Sequence, residues 1–216
     1  MTEICMIRHG QTDWNAMARI QGCTDIPLNE IGRDQARAVA EMISRESGEW
    51  DAIWASPLSR ALDTARIIAD HLRMEPIHTD SDLQERNFGA AEGMNRDRRI
   101  ERFGNGPIPG AESWEEVRQR SLEMIEKIRS IRPDQRVLVV THGGVINSIM
   151  SHLSGGEIGP GKTIITNASA HLIAWEGAWR IQWFNRTADQ RAGITSRRRD
   201  SSISSMRDLA SPSLKL

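Results

Sequence analysis

The sequence is short of cysteine, of net charge and of long apolar runs, and each shortage excludes a class of protein. Its two cysteines, Cys5 and Cys23, are too few for a disulfide framework, and we interpret both as reduced thiols. A formal net charge of −1 gives no overall basic field for binding nucleic acid. Its apolar runs are far shorter than the roughly 20 residues that span a membrane, and the N-terminus lacks the pattern of a signal peptide. We therefore expect a cytoplasmic protein without nucleic-acid or membrane partners, in which any anion site comes from a local group of arginines.

Short apolar runs alternate along the chain with segments of helical periodicity. This alternation predicts an α/β fold, a three-layer αβα sandwich with a mainly parallel central sheet. The predicted strands cover residues 3–7, 51–55, 76–79 and 136–140, and a late β-hairpin covers 170–175 and 179–184. Asn29 and Ser113 are typical N-caps of two of the predicted helices.

The chain divides into one large domain and a tail. Residues 1–185 are enough to bury a core of their own. Within them, residues 86–113 are rich in Gly, Asn, Pro and Arg, which predicts an irregular insertion over the active site with a helical piece near 97–103. Residues 186–216 are basic and rich in serine and arginine, and we predict that they are disordered.

Two predicted strands end in a histidine followed by a glycine. Arg8-His9-Gly10 follows the first strand, and Thr141-His142-Gly143 follows the strand at 136–140. The carboxyl ends of parallel strands line the ligand crevice of such folds, and glycine lets the backbone approach a ligand closely. The strand at 51–55 leads to Arg60 at the same edge of the sheet. The pattern predicts two histidines and an arginine around one pocket.

These segments resemble the histidine phosphatase superfamily, in its phosphoglycerate-mutase-like branch. The resemblance covers roughly residues 2–185, and the matching segments occur in the family's order and spacing. They are RHGQTDWN (8–15), GCTDIPLNEIGRDQA (22–36), ASPLSRALDTA (55–65), LQERNFGAAEG (83–93), GAESWEEV (110–117) and THGGV (141–145).

The resemblance implies a catalytic role for five residues. His9 attacks the phosphorus and forms a phosphohistidine. Arg8 and Arg60 clamp the phosphoryl oxygens, and His142 donates to the oxygens that gain charge in the transition state. Glu85 acts as general acid and then as general base.

Other residues complete the implied site. Asp13, Asp82 and Glu92 compete with Glu85 for the acid role. Neither a metal nor another cofactor is implied, because fixed positive donors surround the phosphoryl group. The residues that line the substrate are Asn15, Thr12, Gln21, Gly22 and Gly143.

The same core can serve a phosphatase or a mutase. Mutases of the resembled family carry Glu-Arg-His-Tyr-Gly where this chain has Glu85-Arg86-Asn87-Phe88-Gly89. The His and the Tyr are both replaced, and Phe88 lacks a hydroxyl. Only 20 residues separate Gly89 from Gly110, and Arg98-Arg99 is a poor match for the mutases' arginine pair. We therefore favour hydrolysis of small phosphomonoesters.

A cofactor-dependent phosphoglycerate mutase is the alternative, and a non-catalytic phosphate-binding protein is a third interpretation. The expected partner is a small phosphate ester, and a homodimer stays open. The sequence does not identify the substrate, because specificity falls in the insertion, where patterns are weakest.

Overall fold

The computed structural model describes residues 1–46 and 48–189. Its strands are β1 (Glu3–Arg8), β2 (Ala52–Ala55), β3 (Ile77–Thr79), β4 (Arg136–Thr141), β5 (Ala170–Trp175) and β6 (Trp179–Arg186). They form one sheet in the order β3-β2-β4-β1-β5-β6. The first four strands of this order pair in parallel, and β5 and β6 are antiparallel at one edge. The predicted mainly parallel sheet with a late hairpin is confirmed.

Helices cover both faces of this sheet. They are α1 (Asp13–Ala16), α2 (Glu30–Ser44), α3 (Ser59–Leu72), α4 (Arg96–Phe103), α5 (Trp114–Ile131) and α6 (Gly143–Leu153). Side chains alternate between faces along a strand. In β1, Ile4 and Met6 pack in the core formed with α5 and α6, while Cys5 and Ile7 pack in the core formed with α2 and α3. The three-layer αβα architecture is therefore confirmed.

Capping side chains fix the ends of several helices, as the sequence predicts for two of them. Asn29 accepts a hydrogen bond from the Gly32 N–H at the start of α2, and Ser113 forms a capping box with Glu116 at the start of α5. Each satisfies backbone donors that a helix end otherwise leaves unpaired. The prediction missed α1, where Thr12 and Asn15 form a further capping box.

Some boundaries differ from the prediction. The helix expected from Ser56-Pro57 begins at Ser59, since Leu58 still has extended backbone, so Arg60 lies in the first turn. Strand β6 continues to Arg186, one residue past the predicted domain end, because its ladder pairs Arg186 with Ala170. The predicted disordered tail lies, from residue 190 onward, outside the described residues. Among the residues described, no helix has the length and apolar character needed to cross a membrane.

Candidate active site

The two His-Gly motifs leave the sheet side by side. Strands β1 and β4 are paired in register, with Arg8 opposite Thr141. The His9 N–H donates to the Thr141 carbonyl at 3.0 Å, and the ring centroids of His9 and His142 are 5.2 Å apart. Both side chains are buried. The structure thus brings together the histidines that the strand-end pattern predicts in one pocket.

His9 has one ring nitrogen engaged and one available. Its Nδ1 lies 2.6 Å from the Gly10 carbonyl oxygen, which can only accept, so Nδ1 carries the proton. Nε2 then keeps its lone pair, and it has no hydrogen-bond partner within the described chain. Burial holds the pKa of His9 well below its ordinary value, and the charges of Arg8 and Arg60 lower it further. A neutral imidazole in this tautomer can act as a nucleophile.

Arg8 reaches the pocket from the last position of β1. Its Nη1 donates to the Ile165 carbonyl at 2.5 Å, while its buried Nε has no partner in the described residues. The side chain crosses Gly143, since a Cβ at that position would lie 3.5 Å from Nε. Burial lowers the pKa of Arg8 to about 10, so the guanidinium is still charged at neutral pH.

Arg60 is fully buried in the first turn of α3. Its Nη2 donates to the Gly22 carbonyl at 2.7 Å and its Nη1 to the Thr24 carbonyl at 2.9 Å. These bonds anchor the loop after α1 to the arginine. As for Arg8, the buried Nε has no partner among the described residues.

His142 is oriented by Ser56, a residue that the sequence interpretation missed. Nε2 of His142 lies 2.8 Å from the Ser56 hydroxyl, which also accepts from the Leu58 N–H at 3.3 Å. If the hydroxyl donates its proton to Nε2, the proton of the neutral ring is on Nδ1. Burial and the nearby Arg60 hold the pKa of His142 well below its ordinary value, so the ring is neutral.

Three buried nitrogens in this pocket lack partners within the part of the chain that is described. They are Nε of Arg8, Nε of Arg60 and Nδ1 of His142. A buried polar group without a hydrogen bond costs about 1–3 kcal/mol, and such groups mark strain or an expected ligand. Two of the three belong to cations. The oxygens of a phosphoryl group accept hydrogen bonds from such donors and carry the opposite charge, so these residues are suited to bind one.

Glu85 stands next to these cations. Both of its carboxylate oxygens lie 3.1 Å from the Gly144 N–H, and Oε1 accepts from the Arg86 N–H at 2.9 Å. A Cβ at Gly144 would lie 2.2 Å from Oε1, so only glycine leaves room for the carboxylate. Burial lowers the pKa of Arg8 and of Arg60, and the negative charge of Glu85 counteracts this lowering at both residues.

Two of the competing carboxylates have other partners. Glu92 accepts hydrogen bonds from the N–H groups of Cys23, Thr24 and Phe88, and so fixes the loop rather than standing free for proton transfer. Asp13 is an exposed acceptor from the Asn29 amide at 3.3 Å. Of the two, neither has the contact with the His142-Gly143-Gly144 turn that Glu85 makes.

The predicted substrate-lining residues Thr12, Gln21 and Asn15 bond mainly to one another. The Thr12 hydroxyl lies 2.9 Å from Oε1 of Gln21 and 3.2 Å from Oδ1 of Asn15. Asn15 also accepts from Asn167 at 3.1 Å. Asn167 is a second residue that the sequence interpretation missed, and its amide reaches the carbonyls of His9 and Gly10 at 3.1 and 3.3 Å.

Both missed residues had a signal in their position. Ser56 directly follows β2, at the same edge as the two histidines. Asn167 precedes β5, which is antiparallel to β1, so the start of β5 meets the end of β1.

Comparisons with known proteins identify the family of this chain. A family model described as the histidine phosphatase superfamily (branch 1) matches residues 4–187. The uncharacterized phosphatase PhoE of Bacillus subtilis (strain 168) is 39% identical over 186 residues, which are 86% of this chain and 95% of the relative. The metal-independent phosphoserine phosphatase of Arabidopsis thaliana is 35% identical over 185 residues, which are 80% of this chain and 76% of the relative. Phosphoglycerate mutases that depend on 2,3-bisphosphoglycerate are also among the similar sequences.

Solved structures extend the likeness to three dimensions. Phosphoserine phosphatase from Entamoeba histolytica, in complex with 3-phosphoglyceric acid, superposes with a TM-score of 0.75 at 29% identity. The match covers 87% of this chain and 98% of that one. The similarity in fold therefore extends over most of this chain and nearly all of that one.

Proposed function

This chain belongs to the histidine phosphatase superfamily, and from that premise we propose that it hydrolyses small phosphomonoesters through a phosphohistidine on His9, without a metal. The observation that carries the proposal is the set of three buried nitrogens, Nε of Arg8, Nε of Arg60 and Nδ1 of His142, that have no partner among the described residues, together with the neutral ring of His9. A phosphoryl group supplies three acceptor oxygens and an electrophilic phosphorus, which are the groups that this pocket lacks. The phosphatases and the mutases among the relatives support phosphoryl transfer as the reaction class.

The first step transfers the phosphoryl group to the enzyme. Nε2 of His9 attacks the phosphorus, and the bond between phosphorus and the ester oxygen breaks. Glu85, protonated at this stage, gives its proton to the departing alkoxide, so the alcohol leaves neutral. Arg8, Arg60 and His142 donate to the oxygens, whose charge is spread in the transition state.

The second step returns the enzyme to its starting state. Glu85, now a carboxylate, takes a proton from a water molecule, and the water oxygen attacks the phosphorus. The bond between phosphorus and Nε2 breaks, its electron pair returns to His9, and inorganic phosphate leaves. Together the two steps convert the ester and one water molecule into the alcohol and inorganic phosphate, and they need no oxidant, reductant or further group.

Two features of the insertion at residues 86–113 support water as the acceptor of the phosphoryl group. Phe88 packs edge-on against Trp114, with ring centroids 6.3 Å apart, and it offers no hydroxyl to hold a second substrate molecule. The helical part of the insertion, α4, is only eight residues long. These features favour a pocket that water can enter.

The proposal is tested with an aryl phosphate in the presence of a metal chelator. The native enzyme should hydrolyse it, and rapid acid-free quenching should trap an acid-labile phosphoenzyme. His9→Ala should reduce kcat at least about 10⁴-fold, since loss of a covalent nucleophile removes the pathway itself. His152→Ala, at an exposed histidine of α6, is the matched control and should keep full activity.

Two results would contradict the proposal. Hydrolysis that survives in His9→Ala would exclude the phosphohistidine. Interconversion of 3- and 2-phosphoglycerate that is faster than hydrolysis, in the presence of a bisphosphoglycerate primer, would make the protein a mutase.

A further inference from the structure

The segment that carries Glu85 lies outside the regular elements. Residues 84–87 belong to none of the described helices or strands, so no regular ladder of backbone hydrogen bonds fixes them. Glu85 nevertheless lies so close to Gly144 that no side chain would fit there, and its position tolerates little error. A general acid must also stand within hydrogen-bond reach of the ester oxygen, and a misplacement of about 1 Å can cost about 100-fold in rate. The groups that hold this segment therefore bear on catalysis.

Arg120, on α5, holds the backbone just before Glu85. Its Nη1 donates to the carbonyls of Asp82 and Gln84 at 2.7 and 2.8 Å. Both bonds leave one nitrogen of a planar guanidinium, whose N–H donors have fixed directions. The two carbonyls are therefore fixed relative to each other and to α5, and with them the direction in which the chain enters Glu85.

Glu112 pairs with Arg120 at two points and holds the backbone just after Glu85. Its carboxylate accepts from Nε of Arg120 at 2.6 Å and from Nη2 at 2.9 Å. The Glu112 carbonyl accepts from the side chain of Arg86 at 2.7 Å, and the Glu112 N–H donates to the Asn87 carbonyl at 2.9 Å. We call Arg120 and Glu112 together the Arg120–Glu112 clamp. The clamp thus bonds to the chain on both sides of the general acid.

The clamp differs from the ion pairs at the surface of this protein. Each of its two side chains is only 19% exposed, and the pair is bidentate. Exposed pairs contribute little, whereas a two-point pair withdrawn from water is held in one geometry. In the described part of the chain, its hydrogen bonds lead to the segment around Glu85 and not to the arginines and histidines of the phosphoryl pocket. The clamp is therefore placed to act on proton transfer and not on phosphoryl binding.

We propose that Arg120 is a positioning residue, which together with Glu112 holds Glu85 where it can protonate the leaving oxygen. This inference rests on the proposed function, since it needs Glu85 as the general acid. In the step concerned, the bond between phosphorus and the ester oxygen breaks, its electron pair stays on the oxygen, and the proton of Glu85 joins that oxygen. A weakly basic leaving oxygen departs without this proton. Loss of positioning should therefore slow esters of strongly basic alkoxides selectively.

The experiment compares benzyl phosphate with p-nitrophenyl phosphate. Both leaving groups carry one aromatic ring and no carboxylate, but the benzyl alkoxide is strongly basic and p-nitrophenolate is weakly basic. The quantity compared is kcat/KM, because it reports the steps up to departure of the alcohol. The later hydrolysis of the phosphoenzyme, which both esters share, does not enter it.

Arg120→Lys keeps the positive charge but removes the planar fork of donors. We expect kcat/KM for benzyl phosphate to fall about 10- to 100-fold, while that for p-nitrophenyl phosphate changes less than about threefold. Glu85→Gln removes the acid itself and should show the same selectivity, with a fall of roughly 100-fold for benzyl phosphate. Arg118→Lys, at an exposed arginine of α5 that pairs with Glu115, is the matched control and should leave both values unchanged.

The outcomes separate this inference from the function on which it rests. If Glu85→Gln slows both esters equally, the acid step of the proposed function fails, and the inference fails with it. If Glu85→Gln distinguishes the esters but Arg120→Lys slows both equally, or neither, Glu85 acts as proposed and the positioning role of Arg120 is wrong. Thermal unfolding is measured for each variant. Should Arg120→Lys not fold, Glu112→Gln removes the other half of the two-point pair, and an equal response of the two esters to it overturns the inference.

Discussion

The floor and the wall of the pocket are built in opposite ways. The floor consists of His9, Arg8, Arg60 and His142, which lie at strand ends or in the first turn of a helix and are largely withdrawn from water; Arg60 is fully buried. The wall consists of Glu85, Arg86, Phe88 and Trp114. The first three lie in irregular backbone, and Trp114, the first residue of α5, is 38% exposed.

This difference separates rate from specificity. In the proposed mechanism, every phosphomonoester would present the same phosphoryl group to the floor, so one rigid set of donors would serve all substrates in the transition state. The alcohol differs between substrates, and in this mechanism it would meet the wall. Changes in the floor should therefore slow all esters alike, while changes in the wall should alter the ratio between esters.

The largest effect beyond loss of the nucleophile is expected for Arg60→Lys. Lysine keeps the charge, but its three donors all leave one nitrogen. They cannot reproduce the planar guanidinium, in which Nη1 and Nη2 hold the Thr24 and Gly22 carbonyls while Nε stays available for another acceptor. We expect kcat/KM to fall about 100- to 1000-fold, as for loss of one donor in an oxyanion site. The loss should be equal for O-phosphoserine and phosphoethanolamine, measured by phosphate release.

Arg66→Lys provides the control for that variant. Arg66 is on the same helix and pairs with Asp63 at the surface, where ion pairs contribute little. It should leave the rates unchanged. If Arg60→Lys lowers kcat/KM for one ester much more than for the other, the division between floor and wall is wrong.

A smaller effect on kcat is expected for Ser56→Ala. This variant removes the hydroxyl that orients His142 and leaves the four side chains of the floor in place. Without the hydroxyl, Nε2 of His142 loses the partner that sets the tautomer of the ring. We expect kcat to fall about tenfold, the equivalent of one net hydrogen bond of about 1.4 kcal/mol. Ser56→Thr restores a hydroxyl and should recover part of the rate if it fits. Unchanged kcat in a folded Ser56→Ala would show that His142 is oriented by its packing alone.

Much of the floor was predictable because it follows from strand ends. When a buried strand ends in His-Gly, the histidine side chain lies at the carboxyl edge of the sheet. His9 and His142 could therefore be placed together from the sequence. The two-layer burial of β1, with Ile4 and Cys5 on opposite faces, follows from alternation in the same way.

The wall was predictable in composition but not in geometry. Phe88 and Trp114 are in contact in the wall although they are 26 residues apart in the sequence. Their contact is set by irregular backbone, which has no periodicity to read. Ser56 and Asn167 were missed for another reason, because they act on other side chains and carry no motif of their own.

The smallest effect on rate is expected for His171→Gln, behind the floor. His171 is buried like His9, but both of its ring nitrogens are engaged, Nδ1 with the Asn185 N–H at 3.0 Å and Nε2 with the Ser169 hydroxyl at 3.0 Å. A buried histidine with no free nitrogen is a support rather than a nucleophile, so hydrolysis should change less than about threefold, or about 0.7 kcal/mol of barrier.

The pH dependence of stability identifies this supporting role. Burial and the charge of Arg8 lower the pKa of His171 to about 3, whereas an unfolded histidine titrates near 6.5. Between these values the unfolded chain binds a proton that the folded chain does not, so the free energy of unfolding falls as the pH falls below 6.5. One such group contributes a slope of about 1.4 kcal/mol per pH unit. Urea unfolding of His171→Gln at pH 7, 6 and 5 should show a slope shallower by about this amount, so that the gap to the native enzyme narrows in acid. An identical slope in both proteins would mean that His171 takes up a proton as readily in the folded state as in the unfolded chain, which would contradict the buried, neutral role given to it here.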